Sequence, residues 1–217
     1  MVSKKVLVFG LPGVGKNSVV HQAVERLGDD FMVINYGDVL QEIVGRERDK
    51  YRREATLSDF MKSQRLAAEK IHGMCANQSK NLVITSHAVM WRESGYIPGF
   101  PEPVLKLLKP DLLVLIISPP HEIIVRKFID AERGKRFDRD TLEYEITREQ
   151  QDACKYICFA YSMMTGAPVK IIENVQGHVE DAIGQLIHAI KDVCNDDGPH
   201  AADSGDEESS GKSTTSS

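Results

Sequence analysis

The sequence predicts a three-layer α/β fold with a five-stranded parallel sheet, and three observations carry that prediction. Five short runs, Lys4 to Phe9, Phe31 to Ile34, Leu82 to Thr85, Leu112 to Ile117 and Val169 to Ile172, are largely apolar without polar alternation, as strands covered on both faces are. Helical patterns separate these runs, and strands alternating with helices build a parallel sheet through right-handed crossovers. The length of 217 residues, with 41% hydrophobic and 27% charged side chains, suits one domain with a sizeable core and excludes a wholly disordered chain.

In chain order, KKVLVF ends at Gly10, and Ser18 to Leu27 returns to helical spacing through Val19, Val20, Ala23 and Leu27. Leu57 to Ala76 repeats Phe60, Ala67, Ile71 and Met74 at intervals that give a helix one buried face. Further helices are expected over Ile123 to Ala131, Leu142 to Met164 and Val179 to Val193. From Asn195 to Ser217 the chain is rich in Ser, Thr, Gly, Asp and Glu and lacks large apolar side chains. Such a segment buries too little to offset its ordering, so residues 195–217 are expected to be a disordered acidic tail behind a domain at 1–194.

That tail holds six acidic residues against one lysine, which leaves 26 of each sign in the rest of the chain. A balanced domain has no basic field to gather nucleic acid, so no nucleic-acid partner is expected. Cys75, Cys154, Cys158 and Cys194 show no metal-binding or CxxC spacing, which points to a reducing cytoplasm and, with no cluster of ligands, to no protein-built metal site. No apolar stretch approaches a membrane span, so no membrane partner is expected.

The strongest chemical signal is Gly10-Leu11-Pro12-Gly13-Val14-Gly15-Lys16-Asn17, followed by Ser18. It matches the GxxxxGK[ST] phosphate-binding loop except at Asn17. A strand ending at Gly10 and a helix starting near Lys16 turn backbone N–H groups toward one concavity, where the helix N-terminus favours an anion. The glycines permit close approach, and the Lys16 ammonium reaches β- and γ-phosphate oxygens. Residues 10–18 are therefore candidate ligands of a polyphosphate nucleotide. Asn17 stands where a magnesium-ligating hydroxyl is usual, and Thr85-Ser86-His87 stands where a strand-end carboxylate is usual. No guanine-binding NKxD sequence is present.

Over about residues 4 to 192 the chain resembles the archaeal-type adenylate kinases, a branch of the P-loop nucleoside monophosphate kinases. The resemblance rests on GLPGVGK at 10–16, INYGDVLQE at 34–42, RDKYR at 48–52, GYIPGFPEPVL at 95–105, PDLLVLI at 110–116 and TGAPVKIIEN at 165–174. It implies reversible phosphoryl transfer from ATP to AMP with magnesium, with ATP as the nucleotide at residues 10–18, and a possible homotrimer. It also marks an arginine-rich lid at about 132–140, with Gly134 to Asp138 as an insertion. Phosphoryl transfer works mainly through positioned cations and exclusion of water. Lys16, Arg133 and Arg139 are accordingly the catalytic candidates.

For the acceptor, the resemblance implies Arg52, with Arg48 and Arg53 as alternatives, and bidentate geometry suits arginine to a phosphate. His87 and Tyr96 stand where AMP passes, at the carboxyl side of the sheet. Trp91, the one tryptophan, is either a cover over the acceptor or a core anchor. Lys155 replaces an arginine usual after the lid, keeping charge without the planar fork. Cys154 and Cys158 are read as core thiols. The residues alone leave open a nucleotide-binding module with weak or no kinase activity, or a slow ATPase.

Overall fold

A computed structural model describes residues 3–45, 51, 55–76, 80–92, 94–132 and 143–195. Its elements run β1 (Lys5–Phe9), α1 (Lys16–Leu27), β2 (Phe31–Asn35), α2 (Tyr36–Val44), α3 (Leu57–Ala76), β3 (Asn81–Ser86), β4 (Val89–Arg92), β5 (Gly95–Pro98), α4 (Glu102–Leu108), β6 (Leu112–Ile117), α5 (Pro120–Glu132), α6 (Tyr144–Thr165), β7 (Val169–Glu173) and α7 (Val179–Asn195). The five anticipated strands form one parallel sheet in the order β2-β3-β1-β6-β7. Their apolar runs place β1, β3 and β6 in the middle, with Leu7, Val83 and Leu113 fully buried. Helix α1 packs on α7, while α2, α3, α4 and α6 pack in succession, so helices flank the sheet in two groups.

Four elements, α2, β4, β5 and α4, were not visible in the apolar periodicity. Helix α2 follows β2 without a linker: the Asn35 side chain accepts from the Gly37 N–H at 3.0 Å as its cap, and Gly45 closes it at φ 62°. The GYIPGFPEP segment contributes β5 of an antiparallel hairpin and the start of α4. The hairpin is two four-residue strands, the second opened by Gly95 at φ 114°, too short for a period to register. Pro101 caps α4, whose seven residues are likewise below the length at which spacing is informative.

Beneath the hairpin an aromatic cluster ties the carboxyl ends of the strands to the helices. Phe100 lies 5.4 Å from Phe9 and 4.5 Å from Tyr36, and Tyr161 lies 5.7 Å from Phe9, all centroid to centroid. Cys154 and Cys158 are buried free thiols on α6, and burial pushes Cys154 up to about 11 and Cys158 further up. Both are neutral packing groups, as expected of core thiols. Helix α7 ends at Asn195, and residues 196–217 of the acidic tail lie outside the described residues.

Candidate active site

The loop from Gly10 to Asn17 joins β1, the middle strand of the sheet, to α1, and it lies where strand order reverses and ligands of open α/β sheets bind. Gly10 lets the loop press on β6: a Cβ there would stand 2.7 Å from the Ile116 carbonyl oxygen. Gly13 and Gly15 take φ 89° and 80°, left-handed values that other residues adopt at a cost. Leu11 and Val14 are buried and anchor the loop to the core, while Pro12 is exposed.

Lys16 opens α1 and is only 8% exposed. Its Nζ donates to the Gly10 carbonyl at 3.1 Å and to the Ser86 carbonyl at 2.6 Å, so the ammonium sits between the ends of β1 and β3. His87 Nδ1–H donates to the same Gly10 oxygen at 3.1 Å. Two groups widely separated in sequence thus meet on one carbonyl. Asn17 and Ser18 are exposed at the N-terminus of α1, and the Ser18 hydroxyl accepts from Gln22 Nε2 at 3.1 Å. Thr85 is buried at the end of β3.

A polar network that sequence reasoning missed holds the loop from the other side. Asn174, after β7, donates from Nδ2 to the Val14 carbonyl at 2.8 Å. The same Nδ2 lies 2.4 Å from where a Cβ on Gly15 would stand. Ser118 donates to the Asn174 carbonyl at 2.7 Å and exchanges two bonds with the Gln151 amide, at 3.0 and 2.9 Å. Arg126 donates to Ser118 Oγ at 2.9 Å, to Glu122 at 2.6 Å and, more weakly, to the Gly13 carbonyl at 3.4 Å. A network whose donors and acceptors are all met fixes a backbone that must keep its N–H groups aimed at an anion. Its signal in sequence is faint, since its members come from α5, α6 and the segments after β6 and β7.

On the acceptor side the candidates separate. Tyr96 lies on β5 opposite Trp91 in register, about 10 Å along the strand from Gly99 at the His87 end. Its hydroxyl donates to Glu149 at 3.0 Å, and burial, with that bond, pushes the phenol up to about 12. Trp91 is 54% exposed, so it is no core anchor: β4 turns it outward on the face it shares with Tyr96. Lys155 pairs with Asp152 on its own helix at 2.9 Å. Arg52, with its alternatives Arg48 and Arg53, lies outside the described residues, as do Arg133, Arg139 and nearly all of the anticipated lid.

Magnesium prefers oxygen ligands and keeps several waters beside substrate phosphates. The Asn17 amide oxygen and the Thr85 hydroxyl are neutral donors at the two places where protein ligands are usual. That set fits an ion held mainly by nucleotide phosphates. No group of three or more His, Cys, Asp or Glu side chains able to hold a metal occurs among the described residues. Among them too, no helix is long and apolar enough to cross a membrane.

A family model described as an AAA domain matches residues 9–144. The chain is 35% identical over 194 residues to an adenylate kinase of Methanopyrus kandleri, covering 87% of this chain and 98% of that one. It is 32% identical over 199 residues to an adenylate kinase of Methanocaldococcus jannaschii, covering 88% and 100%. Among solved structures, a shikimate kinase from Acinetobacter baumannii in complex with shikimate superposes with TM-score 0.58 at 15% identity, covering 88% of this chain and 94% of that one. A gluconokinase from Sinorhizobium meliloti superposes with TM-score 0.52 at 13% identity, covering 90% and 95%. At those identities the likeness concerns the fold.

Proposed function

Because the chain belongs to the adenylate kinase family, we propose that the loop at 10–18 is the donor site of an ATP:AMP phosphotransferase and that Lys16 is its catalytic cation. The enzyme moves the γ-phosphoryl group of ATP to AMP, giving two ADP, in both directions. The observation that carries the assignment of Lys16 is its ammonium, buried in the loop's concavity, where it donates to the Gly10 and Ser86 carbonyl oxygens. A phosphate oxygen, fully charged, is a stronger acceptor than either carbonyl and draws the ammonium toward it. Arg133 and Arg139 are proposed to cover the transferring group, Arg52 to hold the acceptor phosphate, and His87 and Tyr96 to flank the acceptor. The kinase domain is proposed to span 1–194, with 195–217 as an acidic extension.

Magnesium is proposed to arrive with ATP, where it neutralises phosphate charge, and Asn17 is its candidate protein ligand. Asn17→Thr should then give a several-fold higher rate and a steeper magnesium dependence, read from initial rates across a magnesium titration; unchanged curves would remove Asn17 from the metal's surroundings. The reaction itself is tested by ADP formation from ATP with a panel of nucleoside monophosphates. AMP should be the best acceptor, and ADP formed equally without any acceptor would mean hydrolysis instead. The buried free thiols are proposed to reflect a reducing cytoplasm.

Assembly as a homotrimer is proposed on one feature of α6. Tyr156, Phe159 and Met163, 74%, 52% and 90% exposed, stand three and four residues apart and so form one apolar stripe along the helix. Light scattering should give about three times 24.2 kDa. Met163→Glu should shift the mass to one copy, and a monomeric wild type would reject the trimer.

A further inference from the structure

The core-facing stripe of α3 runs Phe60, Gln64, Ala67, Ala68 and Ile71, all buried. Ser63, buried beside this stripe, donates to the Phe60 carbonyl at 2.8 Å, and the other buried polar residue among the helix's described residues is Gln64. The residue is 3% exposed, and its side-chain oxygen is shut off from solvent and accepts no hydrogen bond. A buried amide oxygen without a donor has given up hydration with no return, which an apolar side chain of similar size would not do.

The place of this residue in the fold is well defined. Its backbone carbonyl accepts from the Tyr36 hydroxyl at 2.6 Å, which pins this turn of α3 to the first residue of α2. Tyr36 follows the last residue of β2, and its ring rests on Phe100, which rests on Phe9 at the end of β1. Gln64 is therefore held at the carboxyl ends of the strands, the side of the sheet on which ligands of this architecture bind. Among the described residues the other buried side-chain atom lacking a partner is Arg92 Nη2. It belongs to the same wall: Arg92 Nη1 donates to the Ala55 carbonyl at 2.9 Å, and its guanidinium lies 5.8 Å from the centre of the Phe60 ring, one helical turn before Gln64. An unused acceptor on α3 and an unused donor on β4 are the two kinds of group that an aminopurine edge, an exocyclic amine beside a ring nitrogen, can satisfy.

We propose that Gln64 is a specificity-determining residue of the acceptor site, its amide oxygen taking a hydrogen bond from the exocyclic amine of the acceptor adenine. The inference rests on the adenylate kinase reading. The oxygen is enclosed, so a base reaches it only by displacing side chains that cover it. A base with the amine recovers a hydrogen bond in that exchange, and a base without it leaves the oxygen unpaired, which is how a polar group in a closed site rejects the wrong ligand.

The test compares AMP with purine riboside 5′-monophosphate, which lacks the amine, as acceptors for the full-length enzyme. Wild type should prefer AMP by about 10- to 100-fold in kcat/KM, the range of one buried hydrogen bond. Gln64→Leu should bring that preference within about threefold through loss on AMP, with KM for ATP unchanged and melting temperature equal or higher. Gln64→Met, which keeps the length of the side chain, should do the same and serves if the leucine variant does not fold. A preference that survives in the variants overturns the proposal, as does its absence in the wild type. Equal loss on both acceptors with a lowered melting temperature also overturns it, because that is the mark of a packing role. Failure of the wild type to form any ADP from AMP would reject the reaction itself, a result distinct from all of these.

Discussion

Lys16→Ala lowers kcat by about 10²- to 10³-fold, the scale on which one preorganised charged or polar donor to a transition state counts, and leaves the fold intact. Position 16 is buried at the start of α1 between two carbonyls, so alanine removes the cation without inserting anything. His87 still serves the Gly10 carbonyl, while the Ser86 oxygen loses its bond from Lys16. The melting temperature should therefore move much less than the rate. Most of the loss belongs in kcat rather than in KM for ATP, because charge on the transferring group and leaving oxygen develops in the transition state. Lys16→Arg should rescue little: a planar fork of five donors does not fit a slot shaped for a point charge between two carbonyls. A coupled assay of ADP formation decides the matter, and an alanine variant within a few-fold of wild type would remove Lys16 from the chemistry.

The same site shows what sequence can and cannot carry. Gly10 to Lys16 is legible because its chemistry is local: strand, glycines, lysine and helix follow one another within a dozen residues. The five strands are legible because a strand buried on both faces must be apolar throughout. The support of the loop is not legible, because Asn174 and Ser118 reach Val14 and each other across 160 and 56 residues, and nothing near either residue in sequence marks the contact. Gln64 is hidden for a related reason. In the run KSQRL it reads as an ordinary helix glutamine, and only the surroundings of α3 show that its oxygen is buried. His87 was expected beside the acceptor, and its bond to the Gly10 carbonyl also ties it to the loop at 10–18. The arginines expected at 52, 133 and 139 remain proposals carried by the resemblance.

Gly99→Ala should be the most damaging single methyl in the hairpin region. A Cβ there would stand 2.1 Å from the His87 carbonyl oxygen and 3.0 Å from that of Ala88, both backbone atoms that no rotamer change can clear. Relief requires the chain leaving β5 to move away from the chain leaving β3, and several contacts resist this. The Gly99 N–H donates to Ala88 at 2.7 Å, the Phe100 N–H donates to the Tyr161 hydroxyl at 2.9 Å, and that hydroxyl donates to Ala88 at 2.9 Å. Phe100 is 1% exposed in the aromatic cluster, so a shift there disturbs Phe9 and Tyr36 as well. A loss of about 3 kcal/mol is expected, the upper part of the range for forced overpacking, which lowers the melting temperature by about 6–12 °C for a domain of this size. Because His87 is the residue struck, kcat/KM should fall further than the loss of folded protein explains, measured at a temperature where both proteins are fully folded. Gly73→Ala is the control. No atom lies within 4 Å of its Cβ position on α3, and alanine in a helix interior is favoured by about 0.5–1 kcal/mol, so that variant should melt slightly higher. Were Gly99→Ala to melt as the wild type does, the two chain segments would not be in enforced contact, and the coupling of the hairpin to His87 would have no physical basis.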